Sequence, residues 1–229
     1  YQRLPGGQEV EGFALDTEIG LFAMKREQVD KALAPYNAAE IEVDVIQLAP
    51  IALYNYVAHD ISKGLPEGQD YDSENPPPSI VVLSIGTDTT DLVVTNGFRV
   101  WQRNIPLGGN HFTKQLSKEL KLTFAKAEHL KRNPKTADDP KTIFQAMRPV
   151  FADMVTEVQR SIGFFQGLDR KAKIGAVVML GNTAKLPGLT QYLAKHLGYP
   201  VKDVDSFTKL SGANVVSSSS FKDNILSFA

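Results

Sequence analysis

The sequence predicts an α/β protein in which a mixed sheet is flanked by helices. Three observations carry that prediction. Between Ile80 and Ile105, apolar runs broken by turn residues read as three successive strands. Ile143, Met147, Val150, Phe151, Met154, Val155, Val158, Ile162 and Phe165 fall on one helical stripe, and such a stripe must be buried against a sheet. Ile174 to Leu180 is uniformly apolar, as a strand covered on both faces is.

The totals are those of a soluble globular chain: 229 residues, 42% hydrophobic and 22% charged. A net charge of −1 gives no global field to draw nucleic acid or an anionic membrane. The absence of cysteine excludes disulfides and thiolate metal sites and is compatible with the cytoplasm. No apolar run approaches the ~20 residues of a membrane helix. Tyr1 is not an initiator residue, and FKDNILSFA at the other end reads as an amphipathic helix cut short. The chain is therefore expected to be a piece of a longer protein.

In order, Phe13 to Leu15 and Ile19 to Met24 suit short strands, and Arg26 to Ala34 suits a helix with Val29 and Leu33 on one face. Ile41, Val43 and Val45 alternate with Glu42 and Asp44, which predicts a half-buried strand. Pro50 fits the first turn of a helix running to about Asp60. Residues 63–78 hold Gly64, Pro66, Gly68 and Pro76-Pro77-Pro78 and read as a linker or exposed loop between residues 1–62 and 79–229.

In the second part, the strand before SIGTDTTDL is followed by a strand from Leu92 to Thr95, the Asn96-Gly97 hairpin signal and a strand from Phe98 to Ile105. Gly108-Gly109 then opens a helix with Phe112, Leu116 and Leu120 four apart, and a shorter helix spans Phe124 to Arg132. Pro149 is placed to bend the long helix that follows. After Ile174 to Leu180, GNTAKLPGL is a tight strand-to-helix loop, Gly198 ends the next helix, and Val201 to Val204 adds an edge strand. Ser217 to Ser220 reads as a polar loop.

The chemistry is expected at Ser84 to Leu92. A strand ending in Gly-Thr-Asp-Thr-Thr offers backbone N–H groups and hydroxyls to an anion. The alternative is an ordinary turn in which Asp88 and the threonines satisfy their own backbone. Lys121, Lys126, Lys131, Arg132 and Lys135 form a basic cluster that reads as a solvated face, and the four histidines lack zinc-ligand spacing.

Taken together and in order, the SIGTDTTDL hairpin, the Gly108-Gly109 helix entry, Ala127-Glu128 with Lys131, and LGNTAKLPGL resemble the actin-like ATPase superfamily. EIGLFAMKREQVDKAL and IEVDVIQLAPIALYNYV narrow the resemblance, over nearly the whole chain, to the FtsA-related PilM family of type IV pilus assembly. The resemblance implies an actin-like (ribonuclease H-like) fold, of which this chain is a fragment of the full two-domain architecture. Residues 1–62 would then be part of the first actin-like domain with the end of its inserted subdomain. Residues 79–229 would be the second, with phosphate hairpin and adenosine loop.

By the same resemblance, Gly86, Thr87, Thr89, Thr90 and Asp91 match the second phosphate loop, with Gly109 at the following helix entry. Gly181 and Asn182 match the adenosine loop, and Glu128 and Lys131 match positions that contact the ribose. The implied cofactor is ATP with Mg. Three departures stand out: Ser84 replaces the usual metal-associated aspartate, Asn182 replaces a glycine, and the first phosphate loop is absent from these residues. The implied role is a scaffold of the pilus or a type II secretion-like platform, cytoplasmic and peripheral to the inner membrane through its partners. Those partners would be a PilN-like inner-membrane protein, held by a cytoplasmic peptide near Ile41 to Tyr56, and other platform components, with self-association as a further expectation. The alternative is an active ATPase or small-molecule kinase, in which Asp88 would stand in for the missing carboxylate.

Overall fold

The computed structural model describes residues 2, 3, 9–11, 13, 14, 19–61, 72, 74–204 and 218. In the N-terminal part, β1 (Gln2–Arg3) pairs antiparallel with β4 (Ile19–Gly20), and β2 (Glu9–Val10) pairs antiparallel with β3 (Phe13–Ala14). Helix α1 spans Arg26–Ala38 and runs through Pro35, four residues beyond the predicted end. Val29 and Leu33 are its half-buried positions, as their spacing predicts.

Residues 41–48 are not the predicted strand. They form no strand pairing among the described residues, and Ile41, Val43 and Val45 are exposed. Alternation in sequence describes which way side chains point, and a strand also needs a neighbour to bond. Helix α2 (Ala49–Tyr56) follows, started by Pro50, and passes into a π-helical turn at Val57–Ile61.

The centre is a five-stranded sheet of order β7-β6-β5-β8-β9. Strand β5 (Ser79–Ile85) pairs antiparallel with β6 (Thr90–Thr95) and parallel with β8 (Ile174–Leu180). On the outer sides, β7 (Val100–Ile105) runs antiparallel to β6 and β9 (Val201–Asp203) parallel to β8. The sheet is thus mixed, with the predicted meander at one edge. The turn between β6 and β7 takes four residues, because Thr95 pairs with Val100. Asn96 Oδ1 accepts from the Phe98 and Arg99 amides, and Gly97 supplies the positive φ of 90°.

Helix α3 spans Gly109–Glu119, α4 Phe124–Arg132, α5 Pro140–Leu168 and α6 Leu189–Leu197. The start of α5 is fixed by Asp139, which accepts from the Lys141 amide at 3.0 Å and the Thr142 hydroxyl at 2.8 Å. Pro149 lies inside α5, and the helix continues through it. Met147, Met154 and Val158 of α5 are fully buried with Val81, Leu83 and Ile85 of β5, so the stripe meets the sheet as predicted. On the other side of the residue 63–78 stretch, Leu53 and Val57 join the same core, and the Tyr54 hydroxyl donates to Gly97 O at 2.7 Å. The predicted C-terminal helix in FKDNILSFA and most of the 63–78 linker lie outside the described residues.

Candidate functional site

The site is built at the end of β5. The register Ile85 to Thr90 closes a four-residue hairpin, 86–89, with the Gly86 amide donating to Thr89 O at 2.9 Å. Gly86, Thr87, Asp88 and Thr89 are all exposed there. Thr90 is not: it is fully buried, and its hydroxyl donates to Leu107 O at 2.7 Å. That bond ties the hairpin to the segment that enters α3. Asp91, one residue further on, lies between Ser84 and Asn104 in the strand register, and Asn104 Nδ2 donates to it at 2.8 Å.

The N-terminus of α3 is pressed against the hairpin. Gly109 N donates to Gly86 O at 2.9 Å, and Asn110 N donates to Thr87 O at 2.6 Å. These close contacts explain the paired glycines. A Cβ at Gly108 would stand 2.7 Å from the Thr87 carbonyl, and one at Gly109 would stand 2.6 Å from the Thr183 hydroxyl. Asn110 Nδ2 also donates to Asp88 Oδ1 at 3.0 Å. That hydrogen bond, aided by the Thr87 hydroxyl and by Lys114 and His111, holds the Asp88 carboxyl below its ordinary range.

The loop after β8 reaches the same point from the other side. Thr183 Oγ1 donates to Gly86 O at 3.0 Å, so this carbonyl accepts from two segments at once. Gly181 permits the approach, with φ 84° and ψ 157° and space for a Cβ denied by Ile85 O at 2.5 Å. Asn182 is exposed on the adjoining 3-10 turn, Asn182–Lys185.

Helix α4 contributes a polar knot beneath α3. Lys131 is 8% exposed and donates to Gly109 O at 3.1 Å and Thr113 Oγ1 at 2.9 Å, and it pairs with Glu128 Oε2 at 2.7 Å. Glu128 also accepts from the Thr113 hydroxyl and, through Oε1, from Arg132 Nε at 2.7 Å. Burial alone would raise the Glu128 pKa, but hydrogen bonds from Lys131, Thr113 and Arg132 outweigh it and lower the value to about 2. Lys131 therefore does not belong to the solvated basic face expected from its neighbours.

The structure thus gathers Gly86, Thr87, Gly109, Lys131, Glu128 and Gly181 around one crossing point, with Thr89 and Asn182 at its exposed rim. Thr90 and Asp91 hold the strand behind it. Sequence reasoning missed Asn110, Thr113 and Thr183. Thr183 lay inside the motif already singled out, but its partner is 97 residues away. Among the described residues no group of His, Asp and Glu could hold a metal ion, and no helix is long and apolar enough to cross a membrane.

A three-strand meander, a long helix, a parallel strand, and a Gly-Thr hairpin seated on a helix N-terminus define an actin-like domain, with a mixed sheet flanked by helices. The model of one family, the type IV pilus assembly protein PilM, matches residues 9–229. The chain belongs to that family. Among solved structures it resembles the PilM-PilN type IV pilus biogenesis complex, with TM-score 0.62 and 26% identity over 79% of this chain and 48% of that one. It shares its fold with MreB5 of Spiroplasma citri bound to ADP, with TM-score 0.54 and 15% identity over 88% of this chain and 68% of that one. The cell division protein FtsA of Neisseria meningitidis serogroup B is 23% identical over 84% of this chain and 49% of its own length. The chain spans about half the length of FtsA and of the PilM-PilN structure's matching chain.

Proposed function

We propose that this chain is part of a nucleotide-binding scaffold of a type IV pilus assembly platform, which holds a cytoplasmic peptide of a PilN-like inner-membrane protein. In this reading residues 1–62 carry the peptide site, 63–78 connect, and 79–229 carry half of an ATP site. The observation that carries it is a groove of about 590 Å³ beside α1 and α2, lined by Phe22, Met24, Val29, Ile46, Leu48 and Ile51. Met24 and Ile46 are 53% and 60% exposed, an apolar surface suited to a peptide's apolar side chains. A PilM-PilN complex among the similar structures supports the choice of occupant. Localisation at the cytoplasmic side of the inner membrane follows from that partner.

For the nucleotide, the exposed Gly86 to Thr89 hairpin is the phosphate-facing element and the Gly181-Asn182 corner faces the base. If ATP binds here, Glu128 and Lys131 would meet the ribose from below α3. Mg would accompany the phosphates, its charge neutralising theirs. Ser84 offers no carboxylate to it, and Asp88 is held by Asn110 at 3.0 Å. Both features favour binding over turnover.

The test uses the full-length protein. A synthetic N-terminal peptide of the PilN-like protein from the same organism is titrated by calorimetry, and saturable binding that Ile46→Glu removes is expected. No heat with the unaltered protein would sink the scaffold reading. ATP binding is followed separately by equilibrium dialysis, and phosphate release with Mg-ATP distinguishes the ATPase alternative.

A further inference from the structure

Of the two α4 side chains placed below the ribose, Lys131 has no hydrogen-bond donor left to offer it. An ammonium carries three N–H groups and no acceptor. All three are engaged, with Gly109 O at 3.1 Å, Thr113 Oγ1 at 2.9 Å and Glu128 Oε2 at 2.7 Å. Glu128 differs. Its carboxylate accepts from Lys131, Thr113 and Arg132, while two carboxylate oxygens offer about four lone-pair sites. Its side chain is also 23% exposed, so it retains an acceptor site and a face towards solvent. Thr113 is fully buried and lies out of a nucleotide's reach.

What Lys131 and Thr113 hold is Gly109. Its carbonyl accepts from Lys131 and lies 3.2 Å from the Thr113 hydroxyl, and its amide donates to Gly86 O at 2.9 Å on the other side. The ammonium thus stands one residue behind the hairpin: a Cβ on Gly109 would be 3.6 Å from Lys131 Nζ and 3.6 Å from Gly86 O. The next amide, Asn110 N, donates to Thr87 O at 2.6 Å, so a shift in the first turn of α3 moves both anchors of the hairpin. The charge is placed against the stability of α3 itself. A cation at a helix N-terminus opposes the macrodipole, and burying it costs solvation energy. Glu128 offsets the charge from α4, but the first turn of α3 carries no acidic residue. An anion bound at the hairpin would gain from the same charge.

We propose that Lys131 and Thr113 are positioning residues for phosphate binding, which fix Gly109, and through it the 86–89 hairpin, without touching the nucleotide. The inference rests on the nucleotide reading of the site and divides its α4 pair: Glu128 faces the ribose and Lys131 braces the phosphate loop. A loop held beforehand in its binding conformation loses less freedom when the ligand arrives, so bracing raises affinity without adding a contact. A clamp weakened from behind loses affinity for any polyphosphate, whereas a lost ribose contact affects nucleotides alone.

The test compares ATP with inorganic tripolyphosphate, which has neither ribose nor base, by calorimetry on the full-length protein with Mg present. Lys131→Met and Thr113→Val are each expected to weaken both ligands by the same factor, about threefold to tenfold. Thr113→Ser keeps the hydroxyl and should return both ligands to their original affinity, which separates the brace from a general loss of fold. Weaker ATP with unchanged tripolyphosphate in Lys131→Met would make Lys131 a ribose contact and overturn the proposal. Full affinity in Thr113→Val, or no rescue by Thr113→Ser, would overturn it as well. If the unaltered protein binds ATP but no tripolyphosphate, the hairpin is not the clamp that the brace requires. Binding of neither ligand would instead sink the nucleotide reading itself.

Discussion

The Thr183 hydroxyl and the Gly86 carbonyl meet at 3.0 Å, joining the loop after β8 to the 86–89 hairpin. Because Gly109 N also donates to Gly86 O, removing the hydroxyl leaves the carbonyl with a partner. Thr183→Val should therefore cost only ~0.5–1.5 kcal/mol of stability, read as a lower urea midpoint. If the two loops act on one nucleotide, ATP affinity in the full-length protein should fall as well, and Thr183→Ser should restore it. Stability lost with ATP affinity intact would make the bond purely structural.

Gly181 is a stricter constraint. Its φ of 84° and ψ of 157° lie where essentially only glycine is found, and Ile85 O fills the place of a Cβ at 2.5 Å. Gly181→Ala should cost at least ~1–3 kcal/mol from strain alone. Gly163→Ala is the control, since nothing lies within 4 Å of a Cβ there. Thermal unfolding of the two variants should separate them clearly.

This contrast shows which parts of the molecule the sequence can express. Ile174 to Leu180 and Phe124 to Arg132 were legible to the residue, because an apolar strand and a short helical segment are local patterns. Ile41 to Val45 misled because alternation says nothing about whether a neighbouring strand exists. At the site, Glu128 and Lys131 were visible as a pair one turn apart. That Lys131 is buried beneath Gly109, with Thr113 between them, depends on how α3 crosses α4 and has no local signature. Thr90 likewise matched the phosphate motif, yet its hydroxyl is spent on Leu107.

The Glu128 carboxyl gives the site an acid limit. Its pKa falls from an ordinary 4.5 to about 2 in the folded protein, so the proton binds more weakly there than in the unfolded chain. Its contribution to stability is complete above pH 4.5 and is lost as pH falls towards 2. In Glu128→Gln the stability curve should be flatter across that window. Urea midpoints at successive pH values check this, and an unchanged acid limb would assign the acid sensitivity to other carboxylates.

Asp88 offers a local reading of the hairpin clamp. Its carboxyl is lowered chiefly by the Asn110 side chain, so Asn110→Ala should shift its titration up towards the ordinary aspartate range. The carboxyl carbon chemical shift, followed against pH, measures the change. A titration that does not move would mean the Asn110 side chain adds nothing to the backbone clamp, in which Gly109 N and Asn110 N donate to Gly86 O and Thr87 O.

The strongest coupling is expected between Lys131 and Glu128. Lys131→Met removes one ammonium that serves Gly109 O, Thr113 Oγ1 and Glu128 Oε2 together. Glu128 keeps Arg132, while the single Thr113 hydroxyl proton can serve either Glu128 or Gly109 O at 3.2 Å but not both. The carboxylate nevertheless remains half-withdrawn from water without its buried cation, so the single change should cost about 1–3 kcal/mol. Removing both charges in Lys131→Met with Glu128→Gln leaves only the solvent-exposed Arg132 without its carboxylate, and its cost should fall below the sum of the single changes. A double-mutant cycle of urea midpoints measures that difference. Strict additivity would show that the ammonium stabilises α3 through Gly109 and Thr113, and that its pairing with Glu128 contributes nothing.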